Sequence, residues 1–151
     1  MVRDLTNKHP KYYEATLQLR EISQDVVDYV EKVCAKGELK VAKVVELKNG
    51  LDYFMSDNEL TRGLGKQLQK RFGGELTVTA SLHTKKDGKE LYRVTVLFRP
   101  TPFRKGDLVM YGGEKHVVRA MGKDIFLQNS KTGKKEHIKY RDVKLIREVM
   151  E

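Results

Sequence analysis

Tyr13-Glu14-Ala15-Thr16-Leu17-Gln18-Leu19-Arg20, followed by Glu21-Ile22-Ser23-Gln24-Asp25-Val26-Val27-Asp28-Tyr29-Val30-Glu31-Lys32-Val33-Cys34-Ala35-Lys36-Gly37, decides the fold class. In the first eight residues Tyr13, Ala15, Leu17 and Leu19 alternate with Glu14, Thr16, Gln18 and Arg20, the period of a half-buried strand. From Ser23 the period changes. Val26, Val27, Val30, Val33 and Cys34 recur at helical spacing, Ser23 stands at the N-cap position and Gly37 ends the run. Ile22 and Val27 are spaced as a hydrophobic staple.

Outward from this β-α unit the pattern repeats. Val41, Val44, Val45 and Leu47 mark a second strand, and Asn49-Gly50 predicts a hairpin because both residues tolerate positive φ. A third strand runs over 51–55. Ser56-Asp57-Asn58-Glu59 fits a capping box, opening a helix with Leu60, Leu64, Leu68 and Phe72 in one row, stopped by Gly73-Gly74. Gly63 and Gly65 inside it each cost about 1 kcal/mol relative to Ala, and read as close packing against a sheet or as a kink. A last hairpin pairs Leu76, Val78, Ala80 and Leu82 with Tyr92, Val94, Val96 and Phe98 across Asp87-Gly88. The expectation for residues 1–100 is an α+β fold, a two-layer α/β sandwich of order β-α-β-β-α-β-β with a mostly antiparallel sheet.

Pro100-Thr101-Pro102 is the natural boundary, since two prolines one residue apart stiffen the chain and break pairing. Beyond it, residues 101–151 read as short strands only, at 108–111, 115–120, 125–128, 135–139 and 144–146, with Arg141-Asp142-Val143 as one helical turn. Such spacing predicts a small SH3-like β-barrel.

Charge is the strongest functional signal. There are 30 Lys+Arg against 21 Asp+Glu, a net +9. Residues 1–100 hold 18 and 14 of these (+4), and residues 101–151 hold 12 and 7 (+5). Heat adaptation raises both signs together, so the cationic surplus points instead to a polyanionic partner. Candidate RNA-binding residues lie in turns. They are Arg104 and Lys105; Lys131, Lys134 and Lys135 in Ser130-Lys131-Thr132-Gly133-Lys134-Lys135; Lys139 and Arg141; and, in the first domain, Lys85, Lys86 and Lys89. Lysines around a glycine turn can approach a phosphate backbone unhindered. Aromatics are 8% with no Trp, and no strand carries the paired aromatics of an RNA-recognition sheet, so backbone and shape recognition is expected.

Catalysis finds little support. His9, His83, His116 and His137 lack ligand spacing, Gly73-Gly74 and Gly112-Gly113 lack a phosphate-loop pattern, and Cys34 stands alone without a base. Neither a metal nor a cofactor is expected. The enzymatic alternative is a metal-dependent nuclease built on Glu14 and Asp52 with Asp25 or Glu31, against which Glu14 lies on the polar phase of its strand. A protein-interaction module without RNA contact is the other alternative. With no charged-then-apolar leader in residues 1–10 and no apolar run near the roughly 20 residues of a membrane span, a monomer in the cytoplasm with no membrane partner is expected.

Tyr13 to Arg20, Gly50-Leu51-Asp52-Tyr53-Phe54-Met55-Ser56, Tyr92-Arg93-Val94-Thr95-Val96 and Phe103-Arg104-Lys105-Gly106-Asp107 together resemble the archaeal relatives of the large-ribosomal-subunit export adaptor, also called nonsense-mediated decay protein three. The resemblance spans about residues 12 to 146. It implies a non-catalytic factor on the joining face of the large ribosomal subunit, contacting ribosomal RNA and ribosomal proteins during maturation or quality control. The family's N-terminal zinc-binding Cys-x-x-Cys repeats and its tail with export signals are absent from this sequence, so export is not implied. Ser130 to Lys134 also resembles the modified-lysine loop of the hypusine-containing translation factor. Here it follows the third expected strand of the domain rather than an earlier one, and chance convergence on a glycine turn is the preferred reading.

Overall fold

The computed structural model describes residues 12–86 and 89–149, with side chains described outside 83–90. The chain up to Leu68 together with Leu76–Arg99 forms one compact unit, and Gln69–Glu75 with the chain from Pro100 forms another.

The elements up to Pro100 are β1 (Ala15–Arg20), α1 (Gln24–Cys34), β2 (Val41–Leu47), β3 (Gly50–Met55), α2 (Asn58–Phe72), β4 (Gly74–Lys86) and β5 (Lys89–Pro100), all in the first unit except 69–75 and Pro100. The sheet order is β2-β3-β1-β5-β4. β1 pairs antiparallel with β3, Leu17 opposite Tyr53, and parallel with β5, Leu17 opposite Val96. The alternation in β1 therefore places Ala15, Leu17 and Leu19 on the same face as Tyr53, Met55, Val94, Val96 and Phe98, all buried. Both helices cover that face. The Tyr53 hydroxyl donates to Glu31 of α1, and Gly65 of α2 lies against Val96. Val26, Val30, Leu64 and Leu68 complete the core, each buried aliphatic side chain contributing about 1.5–3 kcal/mol.

Local chemistry differs from the sequence expectation in several places. Ser23 is the N-cap of α1 by its backbone, its carbonyl accepting from Val26 and Val27, while its hydroxyl makes no cap. For α2 the capping side chain is Asp57, whose carboxylate accepts from Leu60 N–H at 2.8 Å. Ser56 is engaged elsewhere, its Oγ accepting the Lys40 N–H. Asn58 then pins β5, donating to the Tyr92 carbonyl and accepting from Val94 N–H. Gly65 is the close-packing glycine, since a Cβ there would lie 2.5 Å from Val96 Cγ1, whereas Gly63 meets nothing. The β2–β3 turn needs no positive φ, because neither Asn49 nor Gly50 adopts one. Gly50 is required for another reason: a Cβ would lie 1.9 Å from the Leu19 carbonyl oxygen. The Asp87-Gly88 turn lies outside the described residues.

The second unit holds β6 (Leu108–Tyr111), β7 (Glu114–Met121), β8 (Ile125–Asn129), β9 (Lys135–Ile138), a 3-10 turn over Tyr140–Leu145 and β10 (Arg147–Glu148). The expected barrel does not form. The sheet is open, in the order β10-β6-β7-β8-β9, and β9 and β10 do not pair with each other. The physical reason lies in the segment after β9. The 3-10 turn takes up residues 140–145, including most of the expected strand at 144–146, and leaves a strand of two residues that pairs only with β6. Phe103, Val109, Val118, Ile125, Leu127, Ile138, Tyr140 and Ile146 form the core on one face of this sheet.

Tyr140 is the polar-tipped member of that core, its hydroxyl donating to the Gly122 carbonyl at 2.8 Å. Burial pushes its phenol up to about 12 from the ordinary 10. Because the folded state favours the neutral phenol, this contribution is fully present below pH 10 and is lost as pH rises from 10 toward 12. Tyr140→Phe is expected to cost about 1 kcal/mol at pH 8 through the lost hydrogen bond. It should also flatten the alkaline decline by about 1 kcal/mol between pH 10 and 11. Urea unfolding at pH 8, 10 and 11 measures both; an unchanged alkaline slope would mean that Tyr140 does not carry it.

Candidate nucleic-acid interface

The basic turns of the second unit are best built up from Asn129, the last residue of β8. Asn129 is buried, 7% exposed. Its Oδ1 accepts from the backbone N–H groups of Lys131 and Thr132, at 2.8 and 3.0 Å. Its amide NH2 donates to the Glu114 carboxylate on β7. The Asn129 backbone N–H donates to Lys134 O, and its carbonyl accepts from Gly133 N–H. Ser130 N–H and Oγ both donate to Lys115 O, and Thr132 Oγ1 accepts from Lys134 N–H. Gly133, at φ +75°, supplies the left-handed step that closes the loop. Gln128 braces it, its Nε2 donating to Gly133 O while its Oε1 accepts from Arg119 Nε at 2.7 Å.

Each backbone N–H of residues 130–134 thus has an acceptor, supplied by Asn129, by Thr132 or by Lys115 of β7, and the conformation is held by these bonds. What it shows to solvent is the side chains of Lys131, Lys134 and Lys135, all exposed. Lys134 Nζ lies 3.5 Å from the Glu136 carboxylate, a surface pair that holds it only weakly. With the Lys131 and Thr132 N–H groups engaged by Asn129, recognition of an anion falls to the ammonium groups.

Beside the loop is an open cleft of about 460 Å³, lined by Met110, Gly113, Lys115, Lys131 and Thr132 among others. Lys115 and Asn129 line this cleft and were not among the sequence candidates. Lys115 carries no turn signal, being inside a strand. Asn129 was visible as an Asx anchor two and three residues before the N–H groups it binds.

The remaining candidates do not join this cluster. Register places the 130–134 loop beside the start of β7, with Asn129 opposite His116, whereas Ile125 at the other end of β8 faces Met121 and Ile138. Lys139 and Arg141 follow Ile138 and so stand at that far end, four strand residues or about 13 Å along the sheet. Arg141 is within 3.8 Å of its neighbour Asp142. Arg104 and Lys105 also belong to the far end, in a turn where Arg104 N–H donates to Asp107 and Gly106 N–H to Val118 O. Both are exposed. The side chains of Lys85, Lys86 and Lys89 lie outside the described residues.

The carboxylates of the nuclease alternative are dispersed. Asp52 is ion-paired to Arg20 at 2.7 Å, and Glu31 accepts from Tyr53 on the helix-covered face. Asp25 is exposed in the first turn of α1. Among the described residues, no three of His, Cys, Asp and Glu gather as metal ligands. Burial raises the Cys34 thiol to about 11, which keeps it protonated and unreactive near neutrality. No helix among the described residues is long and apolar enough to cross a membrane.

Residues 12–99 match the sequence signature of the family described as NMD3, second domain. No curated protein matches the chain.

Proposed function

Since the chain belongs to the NMD3 family, whose general role is that of an adaptor in ribosome biogenesis, we propose that it binds the large ribosomal subunit during maturation or quality control. In this reading it is a cytoplasmic, non-catalytic factor, as in the archaeal relatives it resembles, and it holds ribosomal RNA and neighbouring ribosomal proteins. The observation that carries the RNA part is the loop anchored by Asn129, which holds Lys131, Lys134 and Lys135 exposed on a fixed backbone. A held loop loses little conformational freedom on binding, so the attraction of three cations for phosphate is retained as affinity. Arg104 and Lys105 before β6, and Lys139 and Arg141 after β9, lie toward the other end of the sheet on different strands and would meet different stretches of backbone.

Co-sedimentation with purified large subunits across a salt series tests this. Binding of the unaltered protein is expected to weaken steeply with salt, each phosphate contact contributing up to about 0.9 to the log–log slope. The triple Lys131→Ala, Lys134→Ala, Lys135→Ala variant is expected to bind about tenfold more weakly near physiological salt, with a slope shallower by about 2. Salt-independent binding, or a triple variant that behaves as the parent, would remove RNA contact and leave a protein-interaction module.

A further inference from the structure

The solvent face of the second sheet carries an aromatic pair beside the basic loop. Ile125, Leu127 and Ile138 point into the core, so strand alternation turns Phe126 and His137 outward. They are register partners across β8 and β9. Their rings are stacked, centroids 4.7 Å apart and planes 13° from parallel. Phe126 is 43% exposed and the His137 side chain 53%. His137 Nε2 lies 2.7 Å from Asp124 Oδ2, which fixes the imidazole upright against the phenyl ring and occupies the neighbouring carboxylate. On the other flank of Phe126 the partner residue in β7 is Ala120, whose methyl is too small to cover a phenyl ring. Phe126 therefore keeps part of its ring open to solvent.

Cations border it. Gln128 and Lys135 are the next outward pair along β8 and β9, about 7 Å from Phe126 and His137, and Arg119 reaches the same place through its bond to Gln128. A flat π surface with guanidinium and ammonium groups one nucleotide's span away suits an unpaired base with its phosphate. A duplex, whose bases are stacked internally, offers only the phosphate.

We infer that Phe126 and His137 form a stacking platform for an unpaired base of RNA, with the adjoining phosphate on Lys135 and Arg119. The inference rests on the RNA-binding reading of this unit and sharpens it from backbone contact to recognition of single-stranded nucleotides.

Fluorescence anisotropy with a labelled oligoadenylate, and with its duplex with oligouridylate, distinguishes the two. Phe126→Ala is expected to weaken single-strand binding roughly tenfold, within the ~1–3 kcal/mol of a stacked base, and to leave duplex binding within about twofold. The salt slope should not change, because no cation is removed. Phe126→Tyr keeps the ring and should bind as the parent, while Phe126→Leu, which keeps apolar bulk without a π face, should behave as Phe126→Ala. Equal loss on single strand and duplex, or no loss on either, overturns the platform while leaving the basic loop in place. Loss confined to intact subunits assigns the face to a ribosomal protein and overturns it as well. If the unaltered protein binds neither oligonucleotide nor subunits, the broader RNA reading fails with it.

Discussion

Gly50→Ala is expected to destabilise the first unit by about 3 kcal/mol or more, a large effect for the addition of one methyl group. The alanine Cβ would stand 1.9 Å from Leu19 O and 3.0 Å from Leu19 C. Both are backbone atoms of the central strand, so no rotamer change relieves the overlap. The remaining escape is to pull β3 away from β1, which breaks pairing at Arg20–Gly50 and opens the core beneath the fully buried Leu19. A glycine needed only for its turn conformation would cost less, about 1–2 kcal/mol. Asn49→Ala serves as the control. Asn49 has an ordinary negative φ, and its carbonyl, which accepts from Glu21 N–H, survives the substitution. Its loss should stay below about 1 kcal/mol. Urea unfolding of the two variants reads the difference, and a Gly50→Ala cost no larger than that of Asn49→Ala would refute the steric argument.

Asn129→Ala comes next, with an expected loss of about 2–3 kcal/mol from the second unit. It removes the acceptor for two loop N–H groups and the donor to Glu114 at a buried position. The effect reaches function through dynamics. With the anchor gone, Lys131, Lys134 and Lys135 remain present but no longer pre-positioned, so affinity for large subunits should fall several-fold at unchanged charge. Asn129→Asp separates the contributions. It keeps the acceptor for the two N–H groups but sets a carboxylate against Glu114, and an intermediate stability with a still-ordered loop is expected. Hydrogen exchange at Lys131 and Thr132 reports loop order directly. Protection retained in Asn129→Ala would show that the loop is held by other groups.

Much of the first unit could be read from period alone, because β1 is half-buried and α1 is amphipathic. The row Leu60–Leu64–Leu68–Phe72 shows where period misleads. Residues four apart advance 400° around a helix, so each step drifts by 40° and four such positions spread over 120°, with the outermost at the margin of the buried face. The buried row is Thr61, Leu64, Gly65 and Leu68, and Leu60 is 39% exposed. Capping was misplaced by one residue for a tertiary reason. Ser56, Asp57 and Asn58 can all cap a helix, and the choice was made by Lys40 and by β5, both remote in sequence. Barrel closure failed to be legible on similar grounds. Strand spacing is the same in an open sheet and a barrel, and the difference lies in whether the first and last strands meet. At the interface, turn lysines were visible as residue types. Their division between two ends of one sheet follows from register, and the stacking of Phe126 on His137 from a cross-strand pairing eleven residues apart in sequence.

The 130–134 loop separates the parts that hold from the parts that touch. Asn129, Glu114 and Gly133 fix its backbone, while the side chains of Lys131, Lys134 and Lys135 bear almost nothing of the surrounding structure. Natural variation should therefore fall unevenly here. Among homologues the three anchors would drift little, and the three lysines could exchange with arginine or move between neighbouring positions as the surface they meet diverges. Binding preference can then evolve on this loop without first passing through unfolded intermediates.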